Sequence, residues 1–120
     1  MTGIVDSWGR ALVRIRLRNP ASQVEIESDV WIDTGFTGDL VLPERLLEYL
    51  GLQPASKVKA ELGDGSEATF KTYAVLLQWF GSWKELQALG STVEVPLIGV
   101  SLLKGHKLAI DYEDNAVSLR

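Results

Sequence analysis

Asp33 is the carboxylate with the most unusual surroundings in this sequence. It ends an apolar strand pattern that contains Val30 and Ile32, and Thr34 and Gly35 follow it directly. A charged carboxylate beside buried aliphatic side chains is costly unless it is hydrogen-bonded or shares a proton. Thr34 supplies a hydroxyl and Gly35 a flexible turn with free N–H groups, so the local sequence can hold the carboxylate in place.

Hydrolysis by carboxylates alone requires a pair of them. One takes a proton from water while the other donates a proton to the substrate carbonyl, and two carboxyls in contact share a proton. The other aspartates lack the Thr-Gly sequel: Asp6, Asp29, Asp39, Asp64, Asp111 and Asp114. A two-fold homodimer that brings two copies of Asp33 together would supply the second group.

The sequence lacks the residues that most other kinds of catalysis need. The chain has no cysteine, which excludes disulfides, thiolate metal sites and cysteine nucleophiles. His106 is the single histidine, so a catalytic triad and a histidine metal site have no support, and no Walker lysine follows a glycine-rich loop. We expect no cofactor and no metal, and keep a carboxylate metal site at Asp33 and Asp39 as a weaker alternative.

The composition indicates one globular domain over residues 1–120. The hydrophobic fraction of 46% and the charged fraction of 23% are ordinary for a soluble domain. A net charge of −4 argues against a nucleic-acid partner, because phosphates would be repelled. No apolar run is long enough to span a membrane and the first residues do not resemble a signal peptide, so the expected location is the cytoplasm.

Alternating apolar and polar residues predict a mostly β chain. Residues 11–18 and 23–32 form the first predicted hairpin, and their alternating arginines and acids predict a solvated face. Residues 57–80 form a second, longer hairpin with Gly63-Asp64-Gly65 near its tip. The remaining predicted elements are a helix at 43–50, a strand at 83–89, a loop at 90–92, a short helix at 100–105, and strands at 106–112 and 116–119.

The run from Ile32 to Pro43 resembles the active-site loop of bacterial, single-domain, retropepsin-like aspartic proteases. Leu97-Ile98-Gly99, roughly sixty residues later, resembles the hydrophobic-hydrophobic-glycine element that packs beside that loop in the family. The likeness covers residues 11–120 in matching order, with the second hairpin at the place of the family's flap. It implies an all-β, closed β-barrel-like acid protease (retropepsin) fold with one or two short helices.

The resemblance also implies roles for individual residues. Asp33 would be general base and acid in turn with its dimer mate, Thr34 would brace the pair across the two-fold axis, and Gly35 would approach the substrate with its carbonyl. The flap tip would close over an extended peptide. Substrate contacts are expected at Gly63, Asp64, Gly65, Trp31 and Phe36. The alternatives without a role in binding are simple packing for Trp31 and an ordinary hairpin turn for Gly63-Asp64-Gly65.

One departure from the family pattern follows the second motif. The viral members carry an arginine after its glycine, where this chain has Val100 and Ser101. The activity that the resemblance implies is that of a homodimeric aspartic endopeptidase acting on peptides or unfolded proteins. The absent arginine motivates the alternative, a catalytically inactive protease-fold dimer that serves as a binding or scaffold protein.

Overall fold

The computed structural model describes all residues from 1 to 120 and consists mainly of strands. The strands are β1 (Thr2–Val5), β2 (Ala11–Arg18), β3 (Glu25–Ile32), β4 (Leu40–Pro43), β5 (Pro54–Glu61), β6 (Glu67–Trp79), β7 (Ser82–Ser91), β8 (Leu97–Ile98), β9 (Leu108–Asp111) and β10 (Ala116–Leu119). The helices are α1 (Glu44–Leu50) and α2 (Val100–Leu103). The predicted all-β class with one or two short helices is confirmed. Neither helix has the length and apolar character that crossing a lipid bilayer would require.

All ten strands belong to one sheet, in the order β5-β6-β7-β4-β8-β3-β2-β1-β10-β9. An additional antiparallel pairing of β6 with β2, around Leu17 and Leu77, closes six of these strands into a ring. Closure is partial, because β5 lies outside the ring on one side and β1, β10 and β9 lie outside it on the other. The predicted closed, barrel-like architecture is therefore confirmed in this partial form.

The hydrophobic core fills the ring because inward-facing positions along the strands are aliphatic. In β2, Val13, Ile15 and Leu17 are at most 3% exposed, and the arginines between them face outward. This alternation is the one that the sequence pattern predicts. Helix α1 adds its buried leucines to the same cluster and ends at Gly51, whose φ of 69° is readily adopted by glycine.

The outer face of β2 and β3 carries the arginines and acids that the sequence pattern places together. The facing pairs are Arg14 with Asp29, Arg16 with Glu27, and Arg18 with Glu25. All three pairs form ion pairs at the surface. Opposite charges directly across an antiparallel pair favour its register, although solvent screens each interaction. The arginines are therefore neutralised by acids from the neighbouring strand.

Several elements differ from the sequence prediction: β1 was not predicted, β5 begins at Pro54 rather than at residue 57, and α2 ends at Leu103 rather than at residue 105. Two further differences have a clear structural cause. Gly90 and Ser91, predicted as loop, belong to β7, because parallel pairing with Leu42 and Pro43 of β4 extends the strand. Pro43, predicted to open the helix, is the last residue of β4, and α1 begins at Glu44. In both places, pairing with a distant strand overrides the local turn or helix signal.

Candidate active site

Asp33 lies half-buried where β3 ends and the loop to β4 begins. Its carboxylate oxygen Oδ1 accepts the N–H of Gly35 at 2.9 Å, and its carbonyl oxygen accepts the N–H of Phe36 at 3.2 Å. A Cβ atom at position 35 would lie 3.2 Å from Asp33 Oδ1, closer than most side chains tolerate. The tight turn at Asp33-Thr34-Gly35 thus holds the carboxylate, and a side chain at its third position would push the carboxylate oxygen by a few tenths of an ångström.

Strand β8 places the second motif directly beside this loop. Leu97 and Ile98 pair in parallel with β3 on one side and antiparallel with β4 on the other. The main-chain N–H of Asp33 donates to the carbonyl oxygen of Ile98 at 2.9 Å. Because Ile98 is fully buried, this contact attaches the start of the Asp33 loop to the core.

The start of α2 is bonded to the other half of the loop. Four hydrogen bonds form this contact: Gly99 N–H to Asp39 O (3.0 Å), Val100 N–H to Phe36 O (2.8 Å), Ser101 N–H to Gly38 O (3.2 Å) and Ser101 Oγ to Thr37 O (2.7 Å). The approach is so close that a Cβ at position 99 would lie 2.4 Å from the Gly38 oxygen. The loop therefore adopts its shape against the second motif, and glycine is required at position 99.

Ser101 is a residue whose contribution was not predicted from the sequence. Its hydroxyl and its N–H both bond carbonyl oxygens of the Asp33 loop. The sequence feature that could have pointed to this contribution was the position of Ser101. It lies just after the second motif, where the viral members of the resembled family carry an arginine. A short side chain that bonds the loop directly thus occupies the region from which the arginine is missing.

Thr34 and Gly35 lie on the exposed side of the loop. The side-chain hydrogen bonds of this loop are the Gly35–Asp33 and Ser101–Thr37 bonds, and neither uses the Thr34 hydroxyl. Surface cavities of about 240 to 580 Å³ occur elsewhere on the chain, and none of these five is lined by Asp33, Thr34 or Gly35. In the single chain, the half-buried carboxylate therefore lies outside these five cavities, next to two exposed residues.

The hairpin of β5 and β6 carries the residues expected at a flap tip. Gly63, Asp64 and Gly65 form its turn, and nearly all of β5 is exposed, so the hairpin extends away from the ring. Asp64 Oδ1 accepts the Ser66 hydroxyl at 2.6 Å and the Ser66 N–H at 2.9 Å, and these bonds lower the pKa of Asp64. No hydrogen bond joins this turn to the Asp33 loop.

The two aromatic residues of the expected site have different surroundings. Trp31 is 39% exposed on the opposite face of β3 from Val30, and the Arg10 guanidinium lies 5.7 Å from the centroid of its ring. Phe36 is half-buried with its ring against two glycines, so that a Cβ at either Gly38 or Gly99 would come within 2.5 Å of it. The structure thus brings Phe36 to the second motif and leaves Trp31 beside Arg10.

Asp39, the other member of the weaker metal-site alternative, is half-buried, and its carbonyl oxygen accepts the N–H of Gly99. The chain contains no group of three or more histidine, cysteine, aspartate or glutamate side chains placed to hold a metal ion. A site made only from Asp33 and Asp39 would therefore supply two protein side chains.

Comparison with known proteins identifies the fold. No protein-family model matches the sequence, and no curated protein is significantly similar to it. The crystal structure of a retropepsin-like aspartic protease from Rickettsia conorii superposes with a TM-score of 0.65 at 18% identity, covering 99% of this chain and 88% of that one.

Two viral structures have the same fold. The EIAV protease complexed with the inhibitor HBY-793 gives a TM-score of 0.60 at 17% identity, covering 84% of this chain and 93% of that one. The solution structure of the simian foamy virus (mac) protease gives 0.54 at 18% identity, covering 77% of this chain and 90% of that one. The chain therefore has the retropepsin-like aspartic protease fold.

Proposed function

We propose that this chain is an aspartic endopeptidase, active as a homodimer in which Asp33 of each copy contributes one carboxyl group. The observation that carries the proposal is the Asp33 loop itself. Its carboxylate is held by the Gly35 N–H, its main chain is bonded to Ile98, and Thr34 and Gly35 are exposed on this face of a fold shared with aspartic proteases. A second copy of this face is the simplest source of the second carboxyl group.

In the proposed reaction, two Asp33 carboxyl groups share one proton across the two-fold axis. The ionised carboxylate takes a proton from a water molecule, whose oxygen attacks the carbonyl carbon of the scissile peptide bond. The protonated carboxyl gives its proton to the carbonyl oxygen. Collapse of the resulting diol breaks the C–N bond, and the amine nitrogen leaves with a proton from the pair.

The other expected site residues have supporting roles in this proposal. The free Thr34 hydroxyl would hydrogen-bond across the axis and brace the two loops. The exposed hairpin with Gly63, Asp64 and Gly65 at its turn would close over an extended peptide or unfolded protein segment and exclude water. Trp31 and Phe36 would contact substrate side chains on either side of the carboxyl pair.

The same proposal gives the expected setting of the enzyme. A chain without cysteine is suited to a reducing compartment, and we propose that the enzyme acts in the cytoplasm. Its substrates would be peptides or unfolded proteins rather than nucleic acid, since the net charge is −4. The second candidate function is an inactive dimer that only binds such segments, favoured by the missing arginine after Gly99.

The decisive experiment compares Asp33→Asn with a matched Asp29→Asn control in cleavage of an unfolded protein such as casein. Asparagine keeps an oxygen that can accept the Gly35 N–H, so we expect the fold and melting temperature to persist. Loss of general acid–base chemistry should lower kcat/KM by about 10²-fold or more. Asp29 is an exposed residue of β3, the strand that leads into Asp33, and it pairs with Arg14; its substitution should leave kcat/KM unchanged.

Cleavage that persists in the Asp33→Asn variant would contradict the mechanism. A wild-type protein that is a folded dimer, binds unfolded peptides and never cleaves them would identify the inactive binding protein. Binding of a transition-state-analogue inhibitor that requires Asp33 would support the enzyme.

A further inference from the structure

The first strand of the chain is an interior strand of the sheet. One edge of β1 pairs with β2 and the other with β10, and the Leu119 N–H also donates to the carbonyl oxygen of Met1. Strand β10 in turn pairs with β9 on its other edge. Neither edge of β1 or β10 is therefore open to a partner, and the outermost strand on this side of the sheet is β9.

The groups at the free edge of β9 can be deduced from the hydrogen bonds on its paired edge. Lys107 and Arg120 exchange both of their main-chain hydrogen bonds. In an antiparallel pair, bonded and non-bonded residues alternate, so Ala109 and Asp111 also direct their N–H and C=O groups toward β10. The main-chain groups of Leu108 and Ile110 consequently point away from the sheet.

The side chains of this segment separate into two faces. Leu108 and Ile110 are half-buried and pack against the hydrophobic core. Lys107, Ala109 and Asp111 are exposed on the opposite face. One face of the strand is thus packed on the core through Leu108 and Ile110. Its exposed face carries a cation, a small residue and an anion in that order along the chain.

This order of side chains is self-complementary about Ala109. If two copies of β9 pair antiparallel about a two-fold axis at Ala109, Leu108 faces Ile110 of the partner subunit. Those are the residues with outward main-chain groups, so each such pair can exchange both hydrogen bonds. Lys107 then faces Asp111 of the partner subunit on the exposed face, and this ion pair occurs twice by symmetry.

The hydrogen-bonding pattern and the charges favour this register over the registers with the axis at an adjacent residue. The axis must lie at Leu108, Ala109 or Ile110 for outward groups to face each other. Only the axis at Ala109 pairs Lys107 with the partner's Asp111 and uses the whole strand. It also places the small Ala109 side chain at the closely spaced, non-bonded pair on the axis.

The other free edge of the sheet lacks this complementarity. Strand β5 begins with Pro54 and carries Lys57 and Lys59 on the exposed hairpin. An antiparallel pairing of β5 about Val58 would place these lysines opposite each other. Lysine and proline at an edge discourage strand addition, so β9 is the edge suited to a second copy.

We propose that a second copy of this chain binds at the free edge of β9, with Lys107 paired to the partner's Asp111 and the two-fold axis at Ala109. The inference rests on the proposed function, which requires a homodimer, and it names the contact that would hold the two copies together. The two sheets would then continue into each other through β9, while β1 and β10 remain within their own chain.

Charge-swapped chains test this contact. The Lys107→Glu chain alone would place two carboxylates opposite each other at both ends of the contact, and the Asp111→Lys chain alone would place two ammonium groups there. Each variant should dimerise about tenfold or more weakly than wild type in sedimentation equilibrium, since two attractive pairs become repulsive. A mixture of the two variants restores opposite charges at both ends, so it should form a heterodimer with near wild-type affinity.

Matched controls separate this effect from general changes in charge or folding. Lys84→Glu and Asp114→Lys make the same charge changes at exposed positions outside β9 and should leave the dimer unchanged. Asp111 also caps the following turn by accepting the N–H groups of Glu113 and Asp114. Recovery in the mixture therefore matters more than loss in the Asp111→Lys chain alone.

The two proposals fail in different ways. A monomeric wild-type protein, unchanged dimerisation of the Lys107→Glu chain, or no recovery in the mixture would overturn the β9 contact. Cleavage that depends on Asp33 yet persists in an undiminished Lys107→Glu dimer would overturn the contact and leave the proposed function intact. Recovery in the mixture without Asp33-dependent cleavage would support the contact and reject the proposed function.

Discussion

The main-chain N–H of Asp33 donates a hydrogen bond to the carbonyl oxygen of Ile98 at 2.9 Å, although the two residues are far apart in the sequence. Strand β8, which provides Ile98, has only two residues and is held between β3 and β4. The position of the Asp33 carboxylate therefore depends on β8, a two-residue strand that is held by its pairing with β3 and β4. Substitutions in the second motif should consequently disturb the site without touching the carboxylate.

Gly99→Ala should destabilise the fold and displace the Asp33 loop. The added Cβ would lie 2.4 Å from the Gly38 oxygen and 2.5 Å from the Phe36 oxygen, and both of these are main-chain atoms that cannot rotate away. Such overpacking costs about 1–3 kcal/mol of unfolding free energy. Chemical denaturation measures this loss, and cleavage of an unfolded protein should fall with it.

Gly63→Ala is the matched control for this substitution. A Cβ at Gly63 meets no atom within 4 Å, and its φ lies outside the left-handed region. Its unfolding free energy should remain within about 0.5 kcal/mol of wild type. Equal stability of the Gly99→Ala and Gly63→Ala proteins would show that the loop can yield at no cost.

Thr34→Val should weaken the dimer without weakening the fold. The Thr34 side chain is exposed, and its hydroxyl makes no hydrogen bond within the chain, so valine removes nothing from the isolated subunit. If the hydroxyl bonds across the two-fold axis, losing two bonds of about 0.5–1.5 kcal/mol each should raise the dimer dissociation constant about fivefold or more. Sedimentation equilibrium measures the constant and thermal melting of dilute protein measures the fold.

Thr34→Ser provides the rescue for that experiment, because serine keeps the hydroxyl and loses only a methyl group. Its dissociation constant should be near that of wild type. A Thr34→Val protein that dimerises and cleaves as well as the Thr34→Ser protein would remove the bracing role from Thr34.

Much of the fold followed from local pattern because one face of each strand is buried. The alternation in β2 predicts its buried face, and facing charges such as Arg16 and Glu27 specify its register against β3. The turn at Asp33-Thr34-Gly35 was also predictable, since it needs only the small residues that follow the aspartate. These features depend on residues that are close in sequence or that repeat with the period of a strand.

The parts that could not be predicted depend on contacts between distant segments. The extension of β7 through Gly90 arises from its pairing with β4, and the Ser101 hydroxyl finds its acceptor on Thr37 only after α2 reaches the loop. The closing of the ring by β6 and β2, around Leu17 and Leu77, likewise has no local signal. Long-range pairing of this kind is specified by the whole core rather than by a motif.

Gly65→Ala should loosen the turn of the exposed hairpin. Gly65 has a φ of 86°, and alanine in a left-handed conformation costs roughly 1–2 kcal/mol even where space is open, as it is here. The Leu62 and Gly65 N–H groups, which bond within the turn, should exchange faster with solvent hydrogen. If the hairpin closes over substrate, KM should rise more than kcat falls.

Gly63→Ala is again the control, since it adds the same methyl group to the same turn without a positive φ. Its amide exchange should match that of wild type. Faster exchange in the Gly65→Ala protein with no change in KM would show that the hairpin turn has no part in substrate binding.

Glu27→Gln should make the stability of the fold depend less on pH in the acidic range. Hydrogen bonds from Arg16 and then Arg14 hold the pKa of the Glu27 carboxyl below its usual value of 4.5. A carboxyl with a lower pKa in the folded state stabilises the fold fully above its unfolded pKa, and the contribution is lost as the pH falls through the folded pKa. The acids, mainly Glu27, raise the pKa values of Arg14 and Arg16 further above this pH range, so the contributions of both arginines stay constant across it.

The melting temperature of wild type should therefore exceed that of Glu27→Gln above pH 4.5, and the two curves should converge at lower pH. Glu48→Gln, which alters an exposed glutamate with no ion pair, should run parallel to wild type. Because both partners of the Glu27 pairs are solvent-accessible, high salt should shrink the difference. A Glu27→Gln curve parallel to wild type down to strong acid would show that the arginines of β2 do not stabilise the folded state through this carboxylate.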